Sequence, residues 1–490
     1  MSTEAIIFIG VGIYMVLMLL VGIYASRRTH SVTEFAVAGR SLPLWLCTAT
    51  IIATWFGGGT MMGGSGAAFD EGLLGVIADP FGAALCLLLV GLFFARLVRR
   101  LQFFTFVEFI DRRFGPGCAV IASLASLFSS ILWTAGMLVA FGLIFELLTG
   151  TPLAVGIIGG ALVVIIYTTL GGMLAVALTD FVQMIIIAVG LIVLLTVVLV
   201  DSGGWSAIAP QLPENTWRML PLQHTPENWL NYARAWLIFG LADIASQSLL
   251  QRAMAAKTER VAQNSFYLAS LCYLGFGMIP VLLGIIASVT MPGLANSESV
   301  LPALALEHLH PVGVALFVGA LLAAIMSSSD STLLGGATII STNLLPFFRR
   351  DASDELKLLV SRWSIFVCGA GAVLVALNAR FVFDNVLDAN LLMLAAIIVP
   401  FILGVWWQKA NRAGALSAML VGIAAWLMTG LFYPEMPGDV VGLGACLATM
   451  LIVTPLTQRL DPPRPLTDHD GRAVMLRDRL GTLGPGRVNG

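Results

Sequence analysis

Charge is what this chain has least of. Asp, Glu, Lys and Arg make up 11% of its 490 residues, while 58% are hydrophobic; a soluble chain carries roughly 25% charged residues. The deficit excludes a water-soluble globular protein and points to a polytopic membrane protein. A net charge of −2 and the lack of any basic cluster leave no nucleic-acid surface. Six cysteines (47, 86, 118, 272, 368 and 446) are scattered in or beside apolar stretches, with neither metal-ligand spacing nor an evident disulfide partner. They read as small core residues. No histidine falls at mid-membrane depth and no nucleophile–base pair is legible, so no enzyme activity is expected. The first residues lack the basic stretch and cleavage site of a signal peptide, so 5–26 reads as a first span.

Apolar runs of about 18 residues or more are what the chain has in abundance. Thirteen are expected, near 5–26, 42–70, 72–98, 117–149, 153–170, 173–201, 229–252, 261–290, 312–345, 358–379, 384–407, 412–432 and 437–459. The fold class is therefore all-α and polytopic: one membrane domain over 1–460, with a core at about 42–407 and flanking helices, followed by a mobile cytoplasmic tail over 461–490. Basic residues orient it. With the N-terminus outside, the inner loops hold Arg27, Arg28, Arg40, Arg96, Arg99, Arg100, Arg112, Arg113, Arg252, Lys257, Arg260, Arg349, Arg350, Lys357, Arg362, Lys409 and Arg412. The outer loops hold only Arg218, Arg234 and Arg380. This asymmetry also places the C-terminus in the cytoplasm. The polar stretch 202–228 reads as an outer loop with a short surface helix or lid.

Three interruptions break the apolar pattern. Gly57-Gly58-Gly59 lies mid-way along the second run, where it frees backbone carbonyls and lets a helix unwind, an arrangement tolerated only beside protein or a water-filled cavity. Gly240-Leu-Ala-Asp243-Ile-Ala-Ser-Gln247 interrupts the seventh run. The second and seventh runs stand five apart, and an odd separation inverts topology, so two inverted five-helix repeats are expected. Ser327-Ser-Ser-Asp-Ser331 sits inside the ninth. An aspartate there costs about 2.5–3.5 kcal/mol on insertion scales, and hydroxyls and carboxylates are hard ligands for a hard cation. The serines also have a plainer reading, as hydroxyls bonded back to carbonyls one turn earlier. Likewise, Thr179-Asp180 has the form of a helix N-cap, and membrane tryptophans commonly pack in the core.

Four blocks now carry a resemblance. Ala53-Thr-Trp-Phe-Gly-Gly-Gly59, Gly171-Gly-Met-Leu-Ala-Val176 with Thr179-Asp180-Phe-Val-Gln183, Ala323-Ala-Ile-Met-Ser-Ser-Ser-Asp-Ser331, and Gln251-Arg252 with Ala255-Ala-Lys257 are similar to the sodium:solute symporters, over roughly 5–460. Within that family the look is closest to the high-affinity choline transporters. The resemblance implies a sodium ion held by the carbonyls of Ala53, Phe56 and Ala324 and the hydroxyls of Ser327 and Ser328. It implies a second cation site at Asp180, with Asp330 and Ser331 as further candidates. It also implies a substrate pocket at Trp55 and Trp133; Gly58 beside the break, Asp243 as counter-ion for a positive substrate group or as a structural bond to the sixth or tenth span, and Gln247 as a polar partner are the residues read as joining them. Two aromatics of the choline cage fall on Trp55 and Trp133, but the other two positions are Ala83 and Ser246, and Asp243 replaces what looks like a glycine.

The expected function is a sodium-coupled symporter importing a small organic solute, choline-like or zwitterionic, by alternating access. Its partners are that solute, sodium and the lipid bilayer. Na+ is the coupling ion and no organic cofactor is expected. Short loops suggest a bacterial inner membrane. Two other classes use such a fold: a membrane-embedded sensor acting through a separate partner, and an uncoupled uniporter or channel.

Overall fold

The computed structural model describes residues 3–26, 31–349, 351–378, 382, 387 and 389–474. Arg27, Arg28, Arg350 and Arg380 of the charge count and the 475–490 part of the tail lie outside them. The described residues are helical almost throughout, with only two isolated β-bridges. Without water to satisfy backbone groups, a spanning segment must satisfy its own, which helices do.

We number the principal helices in chain order: α1 Thr3–Ser26, α2 Leu44–Trp55, α3 Gly59–Leu74, α4 Ile77–Phe93, α5 Ala95–Leu101, α6 Phe106–Phe114, α7 Pro116–Thr149, α8 Leu153–Thr169, α9 Gly171–Asp201, α10 Pro226–Gly240, α11 Gln247–Ala255, α12 Glu259–Thr290, α13 Pro311–Phe348, α14 Asp354–Ala376, α15 Met393–Trp406, α16 Arg412–Phe432 and α17 Gly438–Thr457. Among the described residues, seven of these (α7, α9, α12, α13, α14, α16 and α17) are each long and apolar enough to cross a membrane. Two bent pairs, α2–α3 at 58° and α4–α5 at 55°, bring the number to nine. The remaining expected spans overlap the helices α1, α8 and α15 and the broken pair α10–α11; residues 384–386 and 388 of the span expected at 384–407 lie outside the described residues.

Helix α13 is the axis of the molecule. It packs against α1, α7, α9 and α14, and 78% of its most apolar window is buried, against 22% for α17 at the rim. A helix that is apolar all round and also carries Ser and Asp belongs inside a bundle rather than against lipid. The α8–α9 junction turns at Gly172, whose φ is +63° and whose missing side chain leaves room for Phe35 (a Cβ would lie 3.0 Å from the Phe35 carbonyl). On the opposite face from the basic loops, the 202–225 segment docks on the end of α3, with Leu73 N–H donating to the Thr216 carbonyl at 2.9 Å. It contains the short helix Trp205–Ile208, as the sequence suggests.

The tail departs from expectation. Residues 461–474 fold back onto the basic face, with Leu466 buried and a small bridge between Thr467 and Ala473. Helix α6 holds them there. Arg113 donates to the Arg464 carbonyl, Arg112 donates to the His469 carbonyl at 3.0 Å, and the His469 ring lies 2.8 Å from Glu108. The segment has no apolar period, but its backbone carbonyls and His469 answer the guanidinium and carboxylate groups that α6 presents.

Candidate functional site

Helix α2 ends at Trp55 because the next residues leave helical geometry: Phe56 has φ −72° and ψ +67°. Gly57 then lies so close to α13 that a Cβ would sit 2.2 Å from the Ser328 hydroxyl. This places the end of α2 against the serine run. The Ser327 hydroxyl is 2.9 Å from the Ala53 carbonyl and 3.0 Å from the Ala324 carbonyl, and the Ser328 hydroxyl is 3.5 Å from Ala53. One serine proton faces two carbonyls, so this pocket has more oxygen lone pairs than protons to share among them. Ser329, in contrast, bonds back to Ile325 at 2.7 Å, the plainer reading of a membrane serine. Ala53, Ala324, Ser327 and Ser328 are therefore brought together, and Phe56 follows directly at the turn.

The second broken segment, α10–α11, leaves α-helical geometry over Leu241–Ser246, tightening into a 3-10 turn at Ala242–Ala245, and meets α2 and α7 at a cavity. Trp55, Trp133, Asp243 and Gln247 line it, with Ser126, Ser130, Ser246 and Thr332 among their neighbours. Gly58 is absent from this lining: its N–H donates to the Met137 sulfur at 3.3 Å and it packs on Ala140. Asp243 is buried, accepts from Asn390 at 2.9 Å, and among the described residues pairs with no Lys or Arg. The Trp133 ring rests edge-on against Phe239, and its Nε1–H has no acceptor. The Gln247 amide is already engaged: it donates to the Phe104 carbonyl at 3.1 Å and accepts from Phe106 N–H at 3.0 Å. It thus ties the cavity floor to the 102–106 loop of the basic face. Ser246 lines the cavity; Ala83 is buried outside the lining.

The candidates for a second cation site form a separate network. Asp180 lies within the continuous helix α9, not at a helix start, so it is no N-cap. It accepts from Thr50 and is 3.9 Å from Arg252, both groups being fully buried. Asp330 accepts from Tyr167 at 2.6 Å and from Ser331 at 3.2 Å, and Arg252 donates to Ser331. Two carboxylates thus face one guanidinium, and Asp180 Oδ1 has no hydrogen-bond partner. The sequence reading missed Tyr167 and the role of Arg252. Tyrosine in an apolar run reads as packing, and Arg252 reads as a loop cation because it closes a span. Among the described residues, no group of three or more His, Cys, Asp and Glu is placed to hold a transition metal.

The profile of the sodium:solute symporter family matches residues 35–422, and the chain belongs to that family, a class of membrane proteins that carry solutes by sodium symport. High-affinity choline transporter 1 of Drosophila melanogaster is 29% identical over 443 residues, covering 86% of this chain and 70% of that protein. The osmoregulated proline transporter OpuE of Bacillus subtilis is 28% identical over 486 residues, covering 92% and 95%. Among solved structures, a substrate-bound, outward-open Na+-coupled sialic acid symporter superposes with a TM-score of 0.79 at 23% identity, covering 92% of this chain and 97% of that one. A nucleobase-cation-symport-1 transporter in a closed conformation gives 0.61 at 15% identity, covering 87% and 95%. At these identities the structural likeness shows the fold.

Proposed function

We propose that this protein is a sodium-coupled symporter for a small amino compound, with the nitrogen charge met by Asp243 and a carboxylate, where the solute has one, met by Trp133. The observation that carries this is one cavity uniting a carboxylate without a basic partner, an indole N–H without an acceptor and a cluster of hydroxyls. Two tryptophan faces attract a desolvated cation, by about 2 kcal/mol or more. Two faces do not enclose a trimethylammonium group as a full cage does, and the hydroxyls favour a ligand that also accepts hydrogen bonds. The lining of this cavity matches the chemistry of a zwitterion better than that of choline. The relatives named for choline and for proline mark the two ends of that chemistry.

Sodium sits between Ala53, Phe56, Ala324, Ser327 and Ser328, where the end of a half-helix offers carbonyls and the negative pole of its dipole. A further cation fits beside Asp180 Oδ1, since Asp180 and Asp330 together outweigh Arg252 by one charge. The two broken segments belong to a pair of inverted five-helix repeats, with the basic face cytoplasmic, in a bacterial inner membrane. Proteoliposomes loaded with potassium and diluted into sodium test the whole reading. Zwitterionic amino compounds should accumulate against their gradient, and Ser327→Ala with Ser328→Ala should abolish accumulation. Sodium-independent equilibration would show a uniporter instead. Binding without any flux would favour the sensor.

A further inference from the structure

A second oxygen cluster lies on the other side of the α2–α3 break from the serines. Thr60 on α3, Asp79 at the start of α4, Tyr273 on α12 and the carbonyl of Trp55 converge there, and all four residues are buried. The Thr60 hydroxyl is 2.6 Å from Asp79 Oδ2, 2.7 Å from the Tyr273 hydroxyl and 3.2 Å from the Trp55 carbonyl. The Tyr273 hydroxyl is 3.0 Å from Asp79 Oδ1 and 3.4 Å from the same carbonyl. These five oxygen–oxygen contacts share two hydroxyl protons. Three contacts are left with none, and protonating Asp79 would still leave two. Among the described residues, no Lys or Arg pairs with Asp79. Buried carboxylates are ordinarily paired or bound to a cation.

From this geometry we infer that Thr60, Asp79, Tyr273 and the Trp55 carbonyl form a sodium site, separate from the one at Ser327 and Ser328. The chemistry is that of a hard monovalent cation: five oxygens counting both of Asp79, one negative charge, and no nitrogen or sulfur donor. The carbonyl closes the last turn of α2, so the negative end of the half-helix faces the site. The oxygens stand 2.6–3.4 Å apart, so a small bare cation would enter by spreading the shortest pairs, whereas a substrate ammonium would have to bring its alkyl group in as well. The position gives the ion a purpose. Trp55 lines the substrate cavity on one side, and Ala78, next to Asp79, lines the cavity open to the face opposite the basic loops. A cation here would join α3, α4 and α12 across the break and fix the Trp55 ring before substrate arrives.

The inference stands beside the proposed serine site without depending on it. The test is the stoichiometry and affinity of radioactive sodium bound by the purified full-length protein at equilibrium. Asp79→Asn, which keeps shape and removes charge, should lower the number of bound ions by one. Ser327→Ala with Ser328→Ala should lower it by one independently, and the combination by two. Should Asp79→Asn fail to fold, Thr60→Val and Tyr273→Phe each remove one oxygen and should weaken one class of site about tenfold or more while leaving the other unchanged. If all three variants bind as many ions as wild type with the same affinities, the inference is wrong. A drop with Asp79→Asn and none with the serine variant would overturn the serine site and leave this one standing.

Discussion

Gly57 decides whether the end of α2 can meet the serine run at all. A Cβ at that position would lie 2.2 Å from the Ser328 hydroxyl and 2.8 Å from its Cβ, inside any permitted contact. Gly57→Ala should therefore cost about 1–3 kcal/mol of overpacking, and sodium-driven uptake should fall with it while the protein still inserts. Uptake at wild-type sodium dependence would mean that α2 and α13 do not approach in the working protein. Asp243 makes a different demand. Asp243→Asn keeps the side-chain shape and removes the charge, so binding of an amino solute should weaken by at least about tenfold, some 1.4 kcal/mol. Radioactive sodium binding should stay within twofold. Equal loss of both would return Asp243 to a structural role. Both positions are legible in the sequence because a glycine triplet and a lone carboxylate stand out in apolar runs. Asp79 is not, since an acid followed by proline near the start of a run looks like the end of a loop. Asn390 and Tyr167 are also silent, because their partners lie more than a hundred residues away in sequence.

Helices are the most legible feature of this chain, since bilayer thickness dictates their length. Glycine breaks are legible for the same reason, as departures from a forced pattern. Docking of the 461–474 segment is not, because it rests on single hydrogen bonds to α6 rather than on a periodic apolar face. The most exposed of these bonds is the His469–Glu108 pair. Its carboxylate acceptor raises the imidazole above the ordinary value of about 6.5, outweighing partial burial. A raised histidine contributes docking stability in full below the unfolded value, and that contribution is lost as pH rises through the folded value. Amide hydrogen exchange across 466–474 should thus be slowest, relative to the intrinsic rate, at about pH 6 and should speed up by about pH 9, with His469→Ala removing the difference. A flat profile in the wild type would show that backbone contacts alone hold the segment. Glu108 and His469 also line the large cavity on the basic face, so this segment sits at the rim of whatever path opens there.

At the scale of the whole molecule, three of the cavities bear on a path for solute. The cavity on the basic face measures about 960 Å³ and the one on the opposite face about 690 Å³, while the central one between Trp55 and Asp243 measures about 20 Å³, room for roughly a water. The conformation is closed at its centre, with Gln247 bonded to the 102–106 loop on the side of the basic face. A symporter must leave this state in either direction, and sodium should bias which. Binding shifts a conformational equilibrium only through unequal affinity for the two states. The proposed serine site would gain its oxygens only while α2 and α13 stay together, so sodium should hold the seal toward the basic face and favour opening to the other face. Ala78→Cys, on the cavity opposite the basic loops, should react faster with a polar thiol reagent in sodium than in potassium. Thr342→Cys, on the basic-face cavity, should react more slowly. Cys272 is the only half-exposed native thiol among the described residues, and its rate in the parent protein supplies the baseline. If both engineered thiols respond in the same direction, sodium is loosening or tightening the whole bundle rather than exchanging one opening for the other. Coupling through alternating access would then have to be abandoned for this chain.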